Sequence, residues 1–192
     1  MSVAVRVAVV HDWLDTWRGG EHVLAEILRI YPQADLYALV DFLSDADRAR
    51  LGGKRARTSF LQHAPLARSH FRLLLPLFPR AVESLDVSAY DVVISSSHAV
   101  AKGVRTRAGQ LHVCYCYTPM RYAWDLRDQY LAQTGLDRGM RGMLARAMLT
   151  RLRDWDRGAS KRVDRFVAIS HHIAQRIRRC YGRDSTVISH AS

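Results

Sequence analysis

The sequence is poor in cysteine, and what little there is forms no disulfide framework. It has three cysteines, Cys114, Cys116 and Cys180, an odd number that suits a reducing, cytoplasmic compartment. Cys114 and Cys116 fall in an apolar run where a strand buries them as small hydrophobes. With only His112 nearby, a zinc site would need further ligands, so no metal is predicted.

Long hydrophobic runs are also missing. No segment has the ~18 uninterrupted apolar residues of a membrane-spanning helix. The first residues, MSVAVRVAVV, reach His11 and Asp12 without the basic start and longer apolar stretch of a signal peptide. Any membrane contact is therefore expected to be peripheral, on the inner face of the plasma membrane.

Three familiar motifs are absent. There is no G-x-G-x-x-G fingerprint and no Walker A sequence, which argues against a nicotinamide-dependent dehydrogenase and a P-loop ATPase. There is no G-x-S-x-G nucleophile elbow, which argues against a Ser-His-Asp hydrolase.

What the sequence does contain is the composition of a globular domain with an excess of arginine. Its 192 residues, 48% hydrophobic and 24% charged, fit one core and exclude a disordered chain. The formal charge of +11 favours anionic partners: nucleic acid, an anionic membrane or a phosphorylated small molecule. Nucleic acid is not favoured, because no recognised binding module accompanies the charge.

Buried-strand patterns alternate with helical patterns along the chain. The predicted strands are 3–10, 34–40, 55–60, 91–95, 111–117, 165–169 and 185–189. The predicted helices are 21–31, 44–51 with Ser44 as N-cap, 66–85 broken near Pro76 and Pro79, a long helix from 137, and 171–181 between a Ser170 N-cap and Gly182. This alternation predicts an α/β fold, a Rossmann-like and mainly parallel sheet with helices on both faces.

Parallel sheets bind ligands beyond the carboxyl ends of their strands, so the residues just after each strand are the candidates for a site. His11 and Asp12 follow the first predicted strand, and Gly19 and Gly20 precede the next helix. Two glycines at a helix N-terminus let backbone N–H groups approach a diphosphate. A plain turn is the alternative.

After the fourth predicted strand come Ser95 to Ser97 and His98. Their hydroxyls and imidazole can bind sugar hydroxyls or phosphate, or relay a proton. Alternatively, Ser97 caps a following helix whose first turn contains His98.

Aromatic, basic and acidic side chains follow the fifth predicted strand, from Thr118 to Asp125. Aromatic faces with Arg121 and Asp125 suit a sugar or a phosphate-bearing acceptor. In the alternative interpretation, Tyr122 and Trp124 anchor the loop on the sheet.

Two stretches, 68–80 and 138–162, mix arginine with leucine, phenylalanine and methionine. Such an amphipathic basic surface can lie on anionic lipid. A solvated helix face explains the same charge.

Four blocks of sequence stand in order along nearly the whole chain: VAVVHDWLDTWRGGEHVL, YDVVISSSHAVAKGV, HVCYCYTPMRYAWDL and RVDRFVAISHHIAQRIRRCYGRDSTVI. Together they resemble the N-terminal half of family-4 retaining glycosyltransferases, of the kind that transfer mannose or related sugars in bacterial polysaccharide synthesis. The resemblance implies a two-lobed enzyme of GT-B architecture. Residues 1–192 would be its acceptor-side lobe, and a C-terminal lobe would hold most of the nucleotide-sugar site.

The resemblance also implies substrates and residue roles. The donor would be a nucleotide-sugar such as GDP-mannose or a UDP-sugar, the acceptor lipid-linked or a glycan, with no metal or other cofactor. His98 and Tyr117 are the predicted catalytic residues; His98 binds sugar or polarises a hydroxyl, and Tyr117 helps to orient the acceptor. Gly19 and Gly20 face the donor diphosphate. The residues predicted to bind acceptor or sugar are Asp12, Ser97, Arg121, Tyr122 and Asp125.

Three features depart from the family pattern. Tyr117 stands where relatives commonly have histidine, and a phenol with an ordinary pKa of about 10 is a poor proton relay at neutral pH. The sequence ends at Ser192, before the acidic donor-sugar motif and nucleotide pocket of a second lobe, and its end, VISHAS, lacks a proline-rich link.

A transferase must hold donor and acceptor together and away from water, so we expect these residues alone to transfer little or no sugar. The alternative functions are a non-catalytic module that docks on an anionic membrane or a partner, and a nucleic-acid binder.

Overall fold

The computed structural model describes residues 5–65, 67–124 and 139–188. In these residues seven strands form one parallel sheet in the order β3-β2-β1-β4-β5-β6-β7. The strands are β1 (Val7–His11), β2 (Asp35–Ala38), β3 (Arg57–Thr58), β4 (Val92–Ser97), β5 (Leu111–Cys116), β6 (Arg165–Ala168) and β7 (Ser185–Val187). The predicted Rossmann-like α/β fold is confirmed.

Helices and short 3₁₀ segments connect the strands. The helices are α1 (Gly19–Ile30), α2 (Asp45–Arg50), α3 (Ala67–His70), α4 (Phe78–Glu83), α5 (Arg121–Trp124), α6 (Gly139–Ser160) and α7 (His171–Tyr181), and the 3₁₀ segments are Phe60–His63, Phe71–Leu77 and Ala101–Gly103. Within the described ranges, none of the helices combines the length and hydropathy needed to cross a bilayer.

The alternation of side chains along β1 shows how the sheet is buried on both faces. Ala8 and Val10 pack in a core with residues of α4 and α6, whereas Val7 and Val9 pack in a second core with residues of α1 and with Leu51, just after α2. All four side chains are buried. A strand covered on both sides is apolar at every position, which is the pattern that predicted it.

Local sequence signals fix several helix ends. The Ser44 hydroxyl accepts the N–H of Asp47 at 3.1 Å, and the Ser170 hydroxyl accepts the N–H of Ile173 at 3.3 Å, so both predicted N-caps are confirmed. Gly182 ends α7 in the left-handed region, with φ of 66°, where a residue without a side chain is favoured.

The segment predicted as one broken helix over 66–85 is instead divided into α3, a 3₁₀ segment and α4. Pro76 lies inside the 3₁₀ segment, and Pro79 stands in the first turn of α4, where its missing N–H costs nothing. The predictions for residues 3–4, 66, 137–138 and 189 fall outside the described part of the chain.

Strand β4 ends two residues later than predicted, at Ser97, which places Ser96 and Ser97 in the sheet instead of a loop. Ser95, Ser96 and Ser97 pair in register with Cys114, Tyr115 and Cys116 of β5, and all three serines are buried. The alternative in which Ser97 caps a helix whose first turn contains His98 is wrong, because the next helical segment is Ala101–Gly103 with Val100 at its N-cap. The Ser97 hydroxyl accepts the N–H of Lys102 in that segment at 3.4 Å.

The strand order reverses between β1 and β4. From β1 the chain adds β2 and β3 on one side, and the later strands are added on the other side, beginning with β4. In open α/β sheets the crevice at the carboxyl ends of such neighbouring strands is where ligands bind. The loops after β1 and β4 meet at this point.

Candidate functional site

A cavity of about 580 Å³ opens beside the loops that follow β1, β4 and β5 and the first turn of α1. Of the predicted site residues, six line it: Gly19, Gly20, His98, Tyr117, Arg121 and Tyr122. The other lining residues are Trp13, Asp15, Arg18, Glu21, Val23, Thr118 and Ile169. Asp12 and Ser97 lie behind the cavity wall, and Asp125 is outside the described residues.

Asp12 organises the loop that carries His98. Its carboxylate is fully buried and accepts four backbone N–H groups: those of His98 and Ala99 on Oδ2, at 2.6 and 3.0 Å, and those of Val100 and Ala101 on Oδ1, both at 2.6 Å. Asp12 therefore takes the capping role that the sequence indicated for Ser97. The prediction that Asp12 contacts sugar or acceptor does not fit this burial, and we assign it to positioning His98.

His98 and Asp12 form a charged pair at the cavity wall. His98 Nδ1 lies 2.9 Å from Asp12 Oδ2, with 36% of the His98 side chain exposed. The His98 ring stands edge-to-face against Trp13, with ring centroids 4.4 Å apart. With Nδ1 held by Asp12, the other ring nitrogen, Nε2, is the one that can meet a ligand.

The electrostatics of the pair favour its ionised form. Burial works to lower the pKa of His98, but the Asp12 carboxylate, with Glu21 and Asp15, outweighs it and raises that pKa above its usual value. Burial works to raise the pKa of Asp12, but His98 and His11 hold it well below its usual range. A histidine with a raised pKa is a hydrogen-bond donor at neutral pH more than a general base.

Tyr117 joins a network on the α1 side of the sheet. Its hydroxyl donates to the Gly20 carbonyl at 3.0 Å and lies 2.9 Å from Ser96 Oγ, which in turn is 3.0 Å from His11 Nδ1. Burial raises the pKa of the phenol, so it stays protonated. The hydroxyl thus holds the start of α1, and the ring forms part of the cavity wall.

The first turn of α1 is open at the cavity. Glu21 Oε2 accepts the N–H of Arg18 at 2.8 Å, which fixes where the helix begins. A Cβ on Gly19 would meet no heavy atom within 4 Å, and one on Gly20 would come no closer than 3.6 Å, to His11. Steric packing therefore does not require glycine at position 19 or 20. The lack of side chains at these positions leaves the backbone of the first turn accessible.

Two arginines add positive charge to the same wall. Arg18 and Arg121 are exposed and line the cavity, and within the described ranges neither has an acidic partner. Together with the positive end of the α1 dipole they suit a phosphate-bearing ligand. Asp15 lies on the same wall, and its carboxylate is suited to hydroxyl donors.

Sequence reasoning missed Trp13, which supports the His98 ring, and a buried pair behind the loop, Lys102 and Asp156. The local signals were an aromatic residue next to Asp12 and a single lysine within the otherwise uncharged run HAVAKGV. In the part of the chain that the structure describes, no group of three His, Cys, Asp or Glu side chains is placed to hold a metal ion.

Comparison with known proteins agrees with this architecture. The model of the family described as Glycosyltransferase Family 4 matches residues 17–191, a range that includes His98, Tyr117 and Arg121. A search of curated proteins gave no match. Because the family match spans most of the chain, this protein belongs to glycosyltransferase family 4.

Proposed function

We propose that this domain is the acceptor-side lobe of a retaining glycosyltransferase of GT-B architecture. The observation that carries the proposal is the meeting of His98, Arg121 and the open start of α1 around one cavity at the strand-order reversal of a family-4 domain. The reaction breaks the bond between the sugar anomeric carbon and the donor diphosphate. A bond from that carbon to an acceptor oxygen forms on the same face, and the acceptor proton passes to the departing diphosphate.

In this proposal the start of α1 receives the donor diphosphate. Accessible N–H groups in the first turn, near Gly19 and Gly20, donate to phosphate oxygens, and the helix dipole favours their negative charge. Arg18 or Arg121 offsets the charge that builds up as the diphosphate leaves. No metal or other cofactor is needed for this arrangement.

His98 then binds a sugar or acceptor oxygen rather than removing its proton. The Asp12 carboxylate keeps the ring charged and oriented, so Nε2–H donates to a hydroxyl or phosphate oxygen. Arg121 and Tyr122, at the start of α5, contact the acceptor. We further propose mannose as the hexose, GDP-mannose or a UDP-sugar as donor and a lipid-linked or glycan acceptor, on the strength of the four sequence blocks.

Binding to variants of α1 tests the site. Gly19→Val places a branched side chain at the open first turn. With the nucleotide-binding lobe of a family-4 enzyme fused to the chain, we expect this substitution to weaken GDP-mannose or UDP-glucose binding by at least about tenfold, measured by titration calorimetry. Gly158→Val is the matched control, because Gly158 is also helical and a Cβ there would meet no heavy atom within 4 Å, but it lies outside the cavity. Equal affinities for wild type and Gly19→Val would reject the diphosphate assignment.

We expect residues 1–192 alone to transfer negligible sugar, because the cavity lined by the described residues is open and a transferase must hold both substrates together. We propose that a second nucleotide-binding lobe supplies the rest of the site. Adding such a lobe from a family-4 enzyme, fused or separate, should restore transfer of radiolabelled mannose. An ordinary enzymatic rate from the isolated chain would refute this part of the proposal.

A peripheral contact with the cytoplasmic face of the membrane is a second proposal, favoured by one surface. At the start of α6, Met140, Met143 and Leu144 are 83%, 66% and 73% exposed, and Leu73 and Leu77 are also exposed. We expect Met143→Asp with Leu144→Asp to reduce sedimentation with phosphatidylglycerol vesicles. Ile30→Asp, at an exposed apolar residue of α1, is the control; equal loss in both variants would remove the assignment to α6.

A further inference from the structure

Lys102 is a fully buried lysine directly behind the His98 loop. It lies in the 3₁₀ segment that follows β4, and its Nζ donates to the Ala99 carbonyl at 2.6 Å. The same nitrogen lies 2.5 Å from Oδ1 of Asp156, which is fully buried in α6. Burial works to lower the pKa of Lys102, but Asp156 raises it, so the lysine keeps its charge.

The second oxygen of Asp156 is bonded to side chains of two other helices, α5 and α7. Oδ2 accepts the indole N–H of Trp124 at 2.8 Å and the hydroxyl of Tyr181 at 2.8 Å. Trp124 is the last residue of α5, the helix whose first two residues, Arg121 and Tyr122, line the cavity. One carboxylate therefore joins the loop of His98 to the helix of Arg121.

The energetic cost of burying an ion pair indicates that stability alone does not explain the Lys102–Asp156 pair. Removing two charges from water costs several kcal/mol per ion, and apolar side chains of similar volume commonly stabilise a core as well or better. Here Lys102 is bonded to the carbonyl of Ala99, the residue after His98, and Asp156 is bonded to Trp124, in the same short helix as Arg121. A third bond, from Tyr181, ties Asp156 to α7. The pair therefore connects two segments that carry cavity-lining residues.

We propose that Lys102 and Asp156 are positioning residues that hold the His98 loop and the Arg121 helix at a fixed separation for the transfer reaction. This inference rests on the proposed function for its role in catalysis, but its structural part concerns His98 alone and can be tested without a substrate. Neither residue touches the cavity.

The main experiment uses the double variant Lys102→Met with Asp156→Asn in the full chain. It removes both charges at once, so the net charge near His98 is unchanged, and the asparagine oxygen still accepts from Trp124 and Tyr181. We expect a folded protein in which the NMR titration of His98 moves to lower pH, because a looser loop weakens its contact with Asp12. The acidic groups around His98, which are Asp12, Glu21 and Asp15, are not altered.

Binding of GDP-mannose to the double variant, measured with the same second lobe fused to it, should weaken by at least about tenfold, since small misplacements of site residues cost that much or more. The matched control is Arg48→Met with Asp41→Asn, which removes another buried ion pair, at 2.7 Å, from a region outside the cavity. It should lose stability without moving the His98 titration. A folded Lys102→Met, Asp156→Asn protein with the wild-type titration and affinity would overturn the proposal.

If the double variant does not fold, Trp124→Phe decides the question, because it cuts only the link from Asp156 to α5. Weaker GDP-mannose binding with an unchanged His98 titration supports the positioning role, and unchanged binding overturns it. If wild type binds neither GDP-mannose nor UDP-glucose with the second lobe present, the proposed function fails, and the ligand-free His98 titration of the double variant still decides whether the pair holds the loop.

Discussion

The two ends of the sheet handle charge in opposite ways. At the amino end, the ion pairs Arg6–Asp91 and Arg57–Asp35 have long contacts of 3.4 and 3.5 Å, and all four side chains are at least 42% exposed. At the carboxyl end, Asp12 is fully buried and every contact to its carboxylate is 3.0 Å or shorter.

The exposed charges at the amino end serve solubility, whereas the buried carboxylate at the carboxyl end organises the structure around it. Exposed ion pairs contribute little, because water and salt screen them and two side chains lose freedom. A buried carboxylate carries a desolvation cost that only a full set of hydrogen bonds offsets. The carboxyl end, where the cavity lies, is thus where the fold depends on its polar groups.

The sharpest test of the comparison removes the Asp12 carboxylate. Asp12→Ala leaves four buried N–H groups and the His98 ring without their acceptor, and we expect it to lower the free energy of unfolding by about 3–5 kcal/mol. Urea unfolding followed by tryptophan fluorescence measures this. Asp12→Asn, which keeps one acceptor oxygen, should lose less. A loss below about 1 kcal/mol in Asp12→Ala would show that the turn after β4 holds itself together.

A second test concerns packing behind the same turn. A Cβ on Gly103 would overlap two ring atoms of Trp155, whose indole N–H is already bonded to Glu83. Gly103→Ala should therefore destabilise the protein by about 1–3 kcal/mol, as overpacked sites do. Gly158→Ala, in α6 with open space around its Cβ, should instead be neutral or stabilising by about 0.5–1 kcal/mol. Similar effects of both changes would mean that α6 can move away from the turn.

Much of this architecture could be predicted from the sequence, because its strands and helices depend on local sequence patterns. Short, mostly apolar runs predicted the strands, and Ser44 and Ser170 marked the helix starts correctly. Both signals depend on residues only a few positions apart.

The polar interior of the site could not be predicted in this way, since its partners are distant in sequence. Ser96 looked like a loop residue, yet it lies inside β4, where its hydroxyl is hydrogen-bonded to His11 and Tyr117, 85 and 21 residues away. Asp12 bonds to N–H groups 86 to 89 residues along the chain. Only the strand order brings these groups together, and no periodicity reports it.

A third, smaller effect should appear as a pH dependence. The pKa of His98 is raised in the folded protein, so its contribution to stability is complete below the pKa of an unfolded histidine, about 6.5, and disappears as the pH rises through the folded value. The difference in unfolding free energy between wild type and His98→Gln should therefore shrink from pH 6 to pH 9. In an Asp12→Asn background this pH dependence should largely vanish. A difference that grows with pH would contradict the sign of the pKa shift.

The smallest effect is expected at the amino end. In Arg6→Ala the contact of the guanidinium with Asp91 at 3.4 Å is lost, but the backbone N–H of residue 6 still donates to the same carboxylate at 2.9 Å. Because the lost pair is exposed and screened, the urea midpoint should match wild type within replicate scatter in both low and high salt. A shift of the urea midpoint as large as that of Gly103→Ala would mean that the contribution of a charged side chain to stability does not depend on the end of the sheet at which it lies. The burial of a charged residue at the carboxyl end would then no longer identify the candidate functional site. The role of Asp12 would have to be inferred from its hydrogen-bond partners alone.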